Sequence, residues 1–402
     1  MKLAYAPADL AFRDAVRDFL ATHATSWPKR SESMRPGPDQ IAWQKLLISK
    51  GYAARTVPEV YGGYGAAPDL IKSRIIAEAF AEAGAPGGLQ NQGVSMLVPT
   101  LLELGTEAQK RRYIPPTLTG ELVWCQGYSE PGAGSDLAAL TCRGEDVGDH
   151  FRINGQKIWT SSAHVADMMF CLVRTEAEAP KHAGISYLIF SMQTPGIEVR
   201  PLKTMTGQAE FNEVFFTDVM VPKDQIVGER GQGWFVANAT LKHERGMLGD
   251  PNAAAARLRA ITAILQRETV DGESLINNPL YLDRLMRLQA RVLAMEANGL
   301  RLLTAAQKGE PAGLSNLIVK LMGCELNHQL AGLAIDALGE LGVLYHGGPH
   351  EVDHGIWQHR YMFDLGLIIG GGTAQIQKNI IAERGLNLPR EPKLAKPDAV
   401  AR

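Results

Sequence analysis

WCQGYSEPGAGSDLAAL, residues 124–140, stands where the texture of this 402-residue chain changes from helical to extended. Its centre, EPGAGSD (130–136), has the flavour of a phosphate loop but not the spacing of one. By itself the segment reads equally well as a turn between strands. Strand candidates follow it up to about residue 230: MMFCLVR, ISYLIF, IEVRPL and EVFFTDVMVP, each bounded by turn residues. HFRINGQKIW (150–159) sets Asn154-Gly155 between two short apolar-containing runs, the strongest local signal for a β-hairpin. Residues 121–230 are therefore expected to form a β domain, a small barrel or sandwich.

Both flanks read as helical. In residues 1–120, Phe12, Val16, Phe19 and Leu20 share one helical face, and IKSRIIAEAFAEAG (71–84) repeats the period before its glycine stop. VPEVYGGYGAAP (57–68) is a loop rich in Gly and Pro. From 231 the helical period returns: Leu285, Leu288, Val292 and Met295 share a face, as do Leu317, Leu321, Leu330 and Leu333, with Ser315 and Asn316 as cap candidates. Residues 231–388 are expected to be a four-helix bundle and 389–402 a loose polar tail.

Composition narrows the function. A net charge of −2 argues against nucleic acid or a membrane surface as partner, and no apolar run is long enough to span a bilayer. The first residues, MKLAYAPADLAFRDAVRDFL, read as an amphipathic helix rather than a targeting peptide. Four cysteines without a CxxC pair point to neither a metal site nor a disulfide scaffold, and a reducing cytoplasm is the expected compartment. The histidines of YHGGPHEVDHGIWQHR (345–360) lack a carboxylate and spacing that would define a metal geometry, so no metal is expected.

One further stretch demands a reason. IIGGGTAQIQ (368–377) holds three consecutive glycines, each costly in conformational entropy. Together with WCQGYSEPGAGSDLAAL, NGQKIWTSSA (154–163), MTGQAEFNEVFFTDVMVP (205–222), GQGWFVANATLKHERG (231–246) and GGGTAQIQKNIIAERGL (370–386), it closely resembles the acyl-CoA dehydrogenase family. The match is collinear from about residue 5 to 388. It implies an α+β fold of helices, a β domain and a helical bundle, with one FAD held between the β domain and the bundle. It also implies α,β-dehydrogenation of an acyl-CoA thioester: a base takes the α-proton, the β-hydrogen leaves as hydride to flavin N5, and electrons pass to an electron-transfer flavoprotein.

Carried over residue by residue, the resemblance puts Tyr128, Ser129, Gly134 and Ser135 at the flavin. Trp159, Thr160 and Ser161 match the segment beside the isoalloxazine, although Trp159 also reads as a core tryptophan. Thr373 and Gln375 match cofactor contacts. Many relatives carry the catalytic glutamate at the position of Gly371. Isovaleryl-CoA and long-chain acyl-CoA dehydrogenases instead carry it in a Glu-Arg pair on the first bundle helix, and LKHERG supplies Glu244 and Arg245 there. Glu244 is thus the expected base, made stronger by burial against an acyl chain. Gly371 is expected to give its N–H to the thioester oxygen, and Gly370, Arg245 and Ser135 are expected on the substrate side. The plain alternative for Glu244 and Arg245 is an ordinary helix ion pair.

Two motifs depart from the family. The Arg-x-x-Phe-Gly segment that reaches the FAD pyrophosphate of a neighbouring subunit is absent, with Arg267 as a candidate replacement, and Asp336 stands where relatives have glutamine. These departures resemble bacterial sterol-side-chain dehydrogenases, some built from two different subunits. A homotetramer or homodimer is expected, with a hetero-oligomer as the alternative. Branched, cyclic or long acyl chains are the expected substrates. A flavin enzyme of acyl-CoA desulfinase type and a non-catalytic subunit remain as rival readings.

Overall fold

The computed structural model describes residues 5–29, 33–247, 251–310, 314–390 and 392; within its helices, the side chains of 244–247, 303, 306, 307, 314 and 316 are also outside the described set. The chain forms two compact units, Met1–Met247 and Leu248–Arg402.

The first unit opens with helices α1 (Pro7–Thr22), α2 (Pro38–Ser49), α3 (Leu70–Ala83), α4 (Val98–Leu104) and α5 (Glu107–Thr119). Val16, Phe19 and Leu20 of α1 pack against Trp43 and Leu47 of α2 and Phe80 of α3, as their helical spacing requires. Asp69 caps α3 by accepting the Lys72 N–H, and Gly84 ends that helix in the left-handed conformation.

Seven strands follow: β1 (Trp124–Gly127), β2 (Arg143–Val147), β3 (His150–Lys157), β4 (Met168–Arg174), β5 (Ile185–Ser191), β6 (Ile197–Leu202) and β7 (Phe211–Pro222). They make one mixed sheet in the order β1-β4-β2-β3-β7-β6, with β5 paired to β4. Alternate residues of β4 and β5 enter different cores. Phe170, Leu172, Tyr187 and Ile189 face a cluster with α4 and α5, while Met169, Cys171, Val173, Leu188 and Phe190 face a second one. Burial on both faces is why these strands read as unbroken apolar runs. Helix α6 (Gly233–Met247), expected in the bundle, sends Val236 and Ala237 into the first of these cores.

The hairpin expected at Asn154-Gly155 is not there. Those residues lie inside β3, at a register shift between Ile153 and Gly155, and the reversal between β2 and β3 falls at Gly148-Asp149. Gly155 has φ +148, and a Cβ there would meet Cys142 Cα at 2.8 Å. Its glycine therefore serves a bulge and a close backbone approach, which look like a turn signal in sequence.

The second unit contains α7 (Pro251–Arg267), a short hairpin of β8 (Thr269–Val270) and β9 (Glu273–Ser274), then α8 (Pro279–Gln307), α9 (Leu314–Ala337), α10 (Ile356–Ile369) and α11 (Ala374–Ile380). Leu285, Leu288, Val292 and Met295 of α8 meet Leu326, Leu330, Leu333 and Ala334 of α9 in its core. Because α9 begins at Leu314, Ser315 and Asn316 stand inside its first turn and are not its caps. Of the tail, 391 and 393–402 lie outside the described residues. Among the described residues, no helix is long and apolar enough to cross a membrane.

Candidate active site

The expected flavin segments meet in the first unit through backbone bonds. The N–H of Ile158 donates to Ser129 O at 2.9 Å, and the N–H of Thr160 donates to Asn212 O at 3.0 Å. Buried Asn212 returns its side-chain N–H to Thr160 O at 2.8 Å. Between these anchors Trp159 has φ +58, a left-handed conformation that costs a non-glycine residue about 1–2 kcal/mol. Such a cost persists where the surroundings over-determine it, commonly at a functional site. Trp159 is 58% exposed and its indole meets Phe211 edge-on, so it is not a core tryptophan. Thr160 is fully buried, and its Oγ1 has no hydrogen-bond partner among the described residues.

Below the 128–135 loop lies an ion pair that neither segment announces in sequence. Lys157, at 0% exposure, donates to Glu130 Oε1 at 2.8 Å and to Tyr128 O at 3.1 Å. The remaining carboxylate valences are filled by the Thr141 N–H and hydroxyl at 2.6 and 2.8 Å and by the Cys142 N–H at 2.9 Å. Burial alone would raise the Glu130 pKa, but the Lys157 charge and these bonds outweigh it and hold the carboxyl below its usual range. Burial likewise opposes the Lys157 charge, yet its neighbours, Glu130 among them, keep its pKa raised. Four hydrogen bonds to one buried carboxylate fix the loop from beneath. Above it Ser129 is half-buried, Gly134 and Ser135 are exposed, and nothing stands within 4 Å of where a Cβ on Gly132 or Gly134 would go.

In α6, the side chains of Glu244 and Arg245 lie outside the described residues. Their neighbour His243 is half-buried, and burial and the Lys242 ammonium lower its pKa.

The glycine stretch forms a turn in the second unit. Helix α10 ends at Gly370; Gly371 has φ +62 and Gly372 φ +93, and Thr373 caps α11 by accepting the Ile376 N–H at 3.2 Å. The φ of Gly372 favours glycine there, and a Cβ would sit 2.6 Å from Gln377 Nε2, so that amide would have to shift. The turn's carbonyls point inward. Gly371 O accepts from Gln377 Nε2 at 3.3 Å, and the buried Lys320 ammonium donates to Ile368 O at 2.9 Å and to Gly372 O. The Gly371 N–H has no acceptor among the described residues. Gln375 is exposed on α11.

Both anomalous motifs have intrachain partners. Arg267 pairs with Glu268 at 2.8 Å and Asp353 at 3.4 Å, and Asp336 pairs with Arg284 at 2.7 Å. Among the described residues, no three His, Cys, Asp or Glu side chains form a metal-ligating group.

Three domain descriptions match the chain in succession: acyl-CoA dehydrogenase N-terminal domain over residues 7–121, middle domain over 125–219 and C-terminal domain over 231–386. The acyl-CoA dehydrogenase IpdE1 of Mycobacterium tuberculosis is 40% identical over 359 residues, spanning 88% of this chain and 89% of that protein. A chain of the ChsE4-ChsE5 complex from the same organism superimposes with a TM-score of 0.81 at 31% identity, covering 97% of this chain and all of that one. A chain of the Tcur3481-Tcur3483 steroid acyl-CoA dehydrogenase gives a TM-score of 0.82 at 29% identity over the same shares. The chain belongs to the acyl-CoA dehydrogenase family, oxidoreductases acting on the CH–CH bond of acyl-CoA. Its members are flavoproteins that use FAD. The residues here fit that group: an exposed indole on a strained backbone, an orphaned buried hydroxyl beside it, and open space above two glycines suit a flat ring with a polar edge.

Proposed function

We propose that the chain converts an acyl-CoA to the trans-2-enoyl-CoA, with Glu244 as the base. The observation carrying this reading is the glycine turn itself. Gly371 stands where many relatives place the catalytic carboxylate, and its φ of +62 disfavours any side chain. The acid must then come from elsewhere, and the Glu244-Arg245 pair of α6 matches the second position known in the family.

FAD supplies the hydride acceptor, at flavin N5. Tyr128, Ser129, Gly134, Ser135 and the Trp159–Ser161 turn would hold the ring, with Thr373 and Gln375 as further contacts. Glu244 takes the α-proton, which requires its carboxylate within hydrogen-bonding reach of that carbon. As the proton leaves, negative charge grows on the thioester oxygen, and the Gly371 N–H, which has no acceptor among the described residues, is suited to donate to it. Gly370 leaves room beside the thioester, and Arg245 and Ser135 serve the CoA side. An electron-transfer flavoprotein is the proposed electron acceptor, and the cytoplasm the proposed site of action.

The proposed substrates are branched, cyclic or long acyl-CoAs. A cyclic, steroid-bearing acyl group is supported by the likeness to the steroid acyl-CoA dehydrogenase chain. A homo-oligomer is the simpler assembly. A hetero-oligomer is the second reading, favoured because the ChsE4-ChsE5 and Tcur3481-Tcur3483 relatives are two-component complexes by name and because Arg267 is already engaged by two carboxylates.

Anaerobic titration of the purified holoprotein with butyryl-, isovaleryl-, palmitoyl- and steroid-side-chain acyl-CoAs tests the proposal through its visible spectrum. Bleaching of the flavin by the bulky or long thioesters is expected. A flavin that none of them reduces would overturn the dehydrogenation, and butyryl-CoA as the best substrate would overturn the preference.

A further inference from the structure

Three glycines in succession cannot orient themselves, because glycine is the residue least restrained in φ and ψ. Yet a donor serving an oxyanion must point in a fixed direction before charge develops, or its reorganisation is added to the barrier. Something outside the turn must therefore hold it. Lys320 lies on α9 with its side chain 2% exposed, in a stripe with Cys324, Asn327, Leu330 and Ala331, all buried. A lysine in such a stripe costs several kcal/mol to desolvate unless its ammonium finds acceptors.

Its acceptors include the two carbonyls that bracket the turn. In a continuing helix, Ile368 O would receive the Gly372 N–H; instead it receives Lys320 Nζ at 2.9 Å. The same ammonium donates to Gly372 O on the far side. Gln377, also 2% exposed, adds a bond to the carbonyl between, Gly371 O, at 3.3 Å. A cation at the last carbonyls of α10 also lies where the helix dipole favours positive charge.

We infer that Lys320, seconded by Gln377, is a positioning residue that clamps the Gly370–Gly372 turn so that the Gly371 N–H is presented as the oxyanion donor. The inference rests on the reaction proposed above. It explains why a lysine is buried here and how a turn without side chains keeps one orientation.

Acetoacetyl-CoA provides a readout separate from turnover. Loss of its acidic α-proton gives an enolate that absorbs in the near ultraviolet, with no redox step, and a site that stabilises the thioester oxyanion lowers the pH at which the bound molecule ionises. In the FAD-loaded Lys320→Met variant, that pH is expected to rise by about one to two units and kcat to fall about 100-fold, with FAD content unchanged. Gln377→Leu is the milder companion. It removes one bond and also an amide oxygen that has no partner among the described residues, so it should fold even where Lys320→Met does not. Its enolate fraction at a fixed pH is expected to fall about threefold to tenfold. Wild-type protein that ionises acetoacetyl-CoA, with both variants matching it, would overturn the clamp alone. Wild-type protein that binds the probe without ionising it would overturn the proposed reaction, and the clamp's role with it.

Discussion

Two buried lysines each pin a stretch of backbone at the candidate site, and they do it differently. Lys157 holds the 128–130 segment through Glu130, a carboxylate that is itself saturated by Thr141 and Cys142. Lys320 holds the glycine turn through carbonyl oxygens at the end of α10. The first is an ion pair buried on the core side of β3, where loss of one partner strands a full charge. The second clamps dipoles at a helix end, where loss of the ammonium frees a short turn. The difference separates their consequences. Damage at Lys157 should appear chiefly as lost stability, whereas damage at the Lys320 clamp should appear chiefly in the chemistry.

The largest expected effect lies at neither lysine and checks that both are supports. Glu244→Gln should keep FAD and bind acyl-CoA while turnover falls by about 10³-fold or more, as expected for losing a general base. Undiminished turnover would remove Glu244 from the mechanism and return the base to an unidentified group. Next in size is Lys157→Met, which leaves Glu130 buried and uncompensated and should cost about 3–5 kcal/mol in urea unfolding. A cost below about 1 kcal/mol would mean that the Lys157–Glu130 pair is not a support of the fold. The pair also has a pH signature. The folded pKa of Glu130 is depressed, so its contribution is present above its unfolded value of about 4.3 and is lost as pH falls through the folded one. That of Lys157 is raised, so its contribution is full below about 10.4 and is lost as pH rises through the folded value. Stability conferred by the pair should therefore be flat between those limits and disappear outside them.

How much of this was legible depended on range. The order of helices, strands and bundle follows from apolar period alone, and the segments around Ser129, Trp159 and Gly371 stand out because unusual residues cluster within a few positions. The supports do not stand out. Glu130 and Lys157 are 27 residues apart, on a loop and a strand, and only the pairing of β3 with its neighbours makes them partners. Lys320 reads as a polar interruption beside a leucine stripe until α10 ends against it. Asn154-Gly155 misled for a related reason: a glycine required by the Cys142 backbone carries the same signature as one required by a turn. Long-range contacts decide such residues, and local pattern does not contain them.

Two smaller perturbations act on the backbone of the same two regions. Gly372→Ala adds a methyl at φ +93, 2.6 Å from the amide of Gln377, and should cost about 2 kcal/mol in unfolding while weakening that residue's hold on Gly371 O. Trp159→Gly should do the reverse. It relieves a left-handed strain of about 1–2 kcal/mol and gives up an edge contact to Phe211 by a residue already more than half exposed. The added backbone freedom of glycine offsets part of that gain, by roughly 0.5–1 kcal/mol. Unfolding of the FAD-free protein should thus change by less than about 1 kcal/mol, whereas FAD retention through gel filtration should fall. A variant that keeps its flavin in full would mean that the strained tryptophan is not held for the cofactor. An FAD-free variant destabilised by more than about 2 kcal/mol would mean that the indole is part of the fold after all.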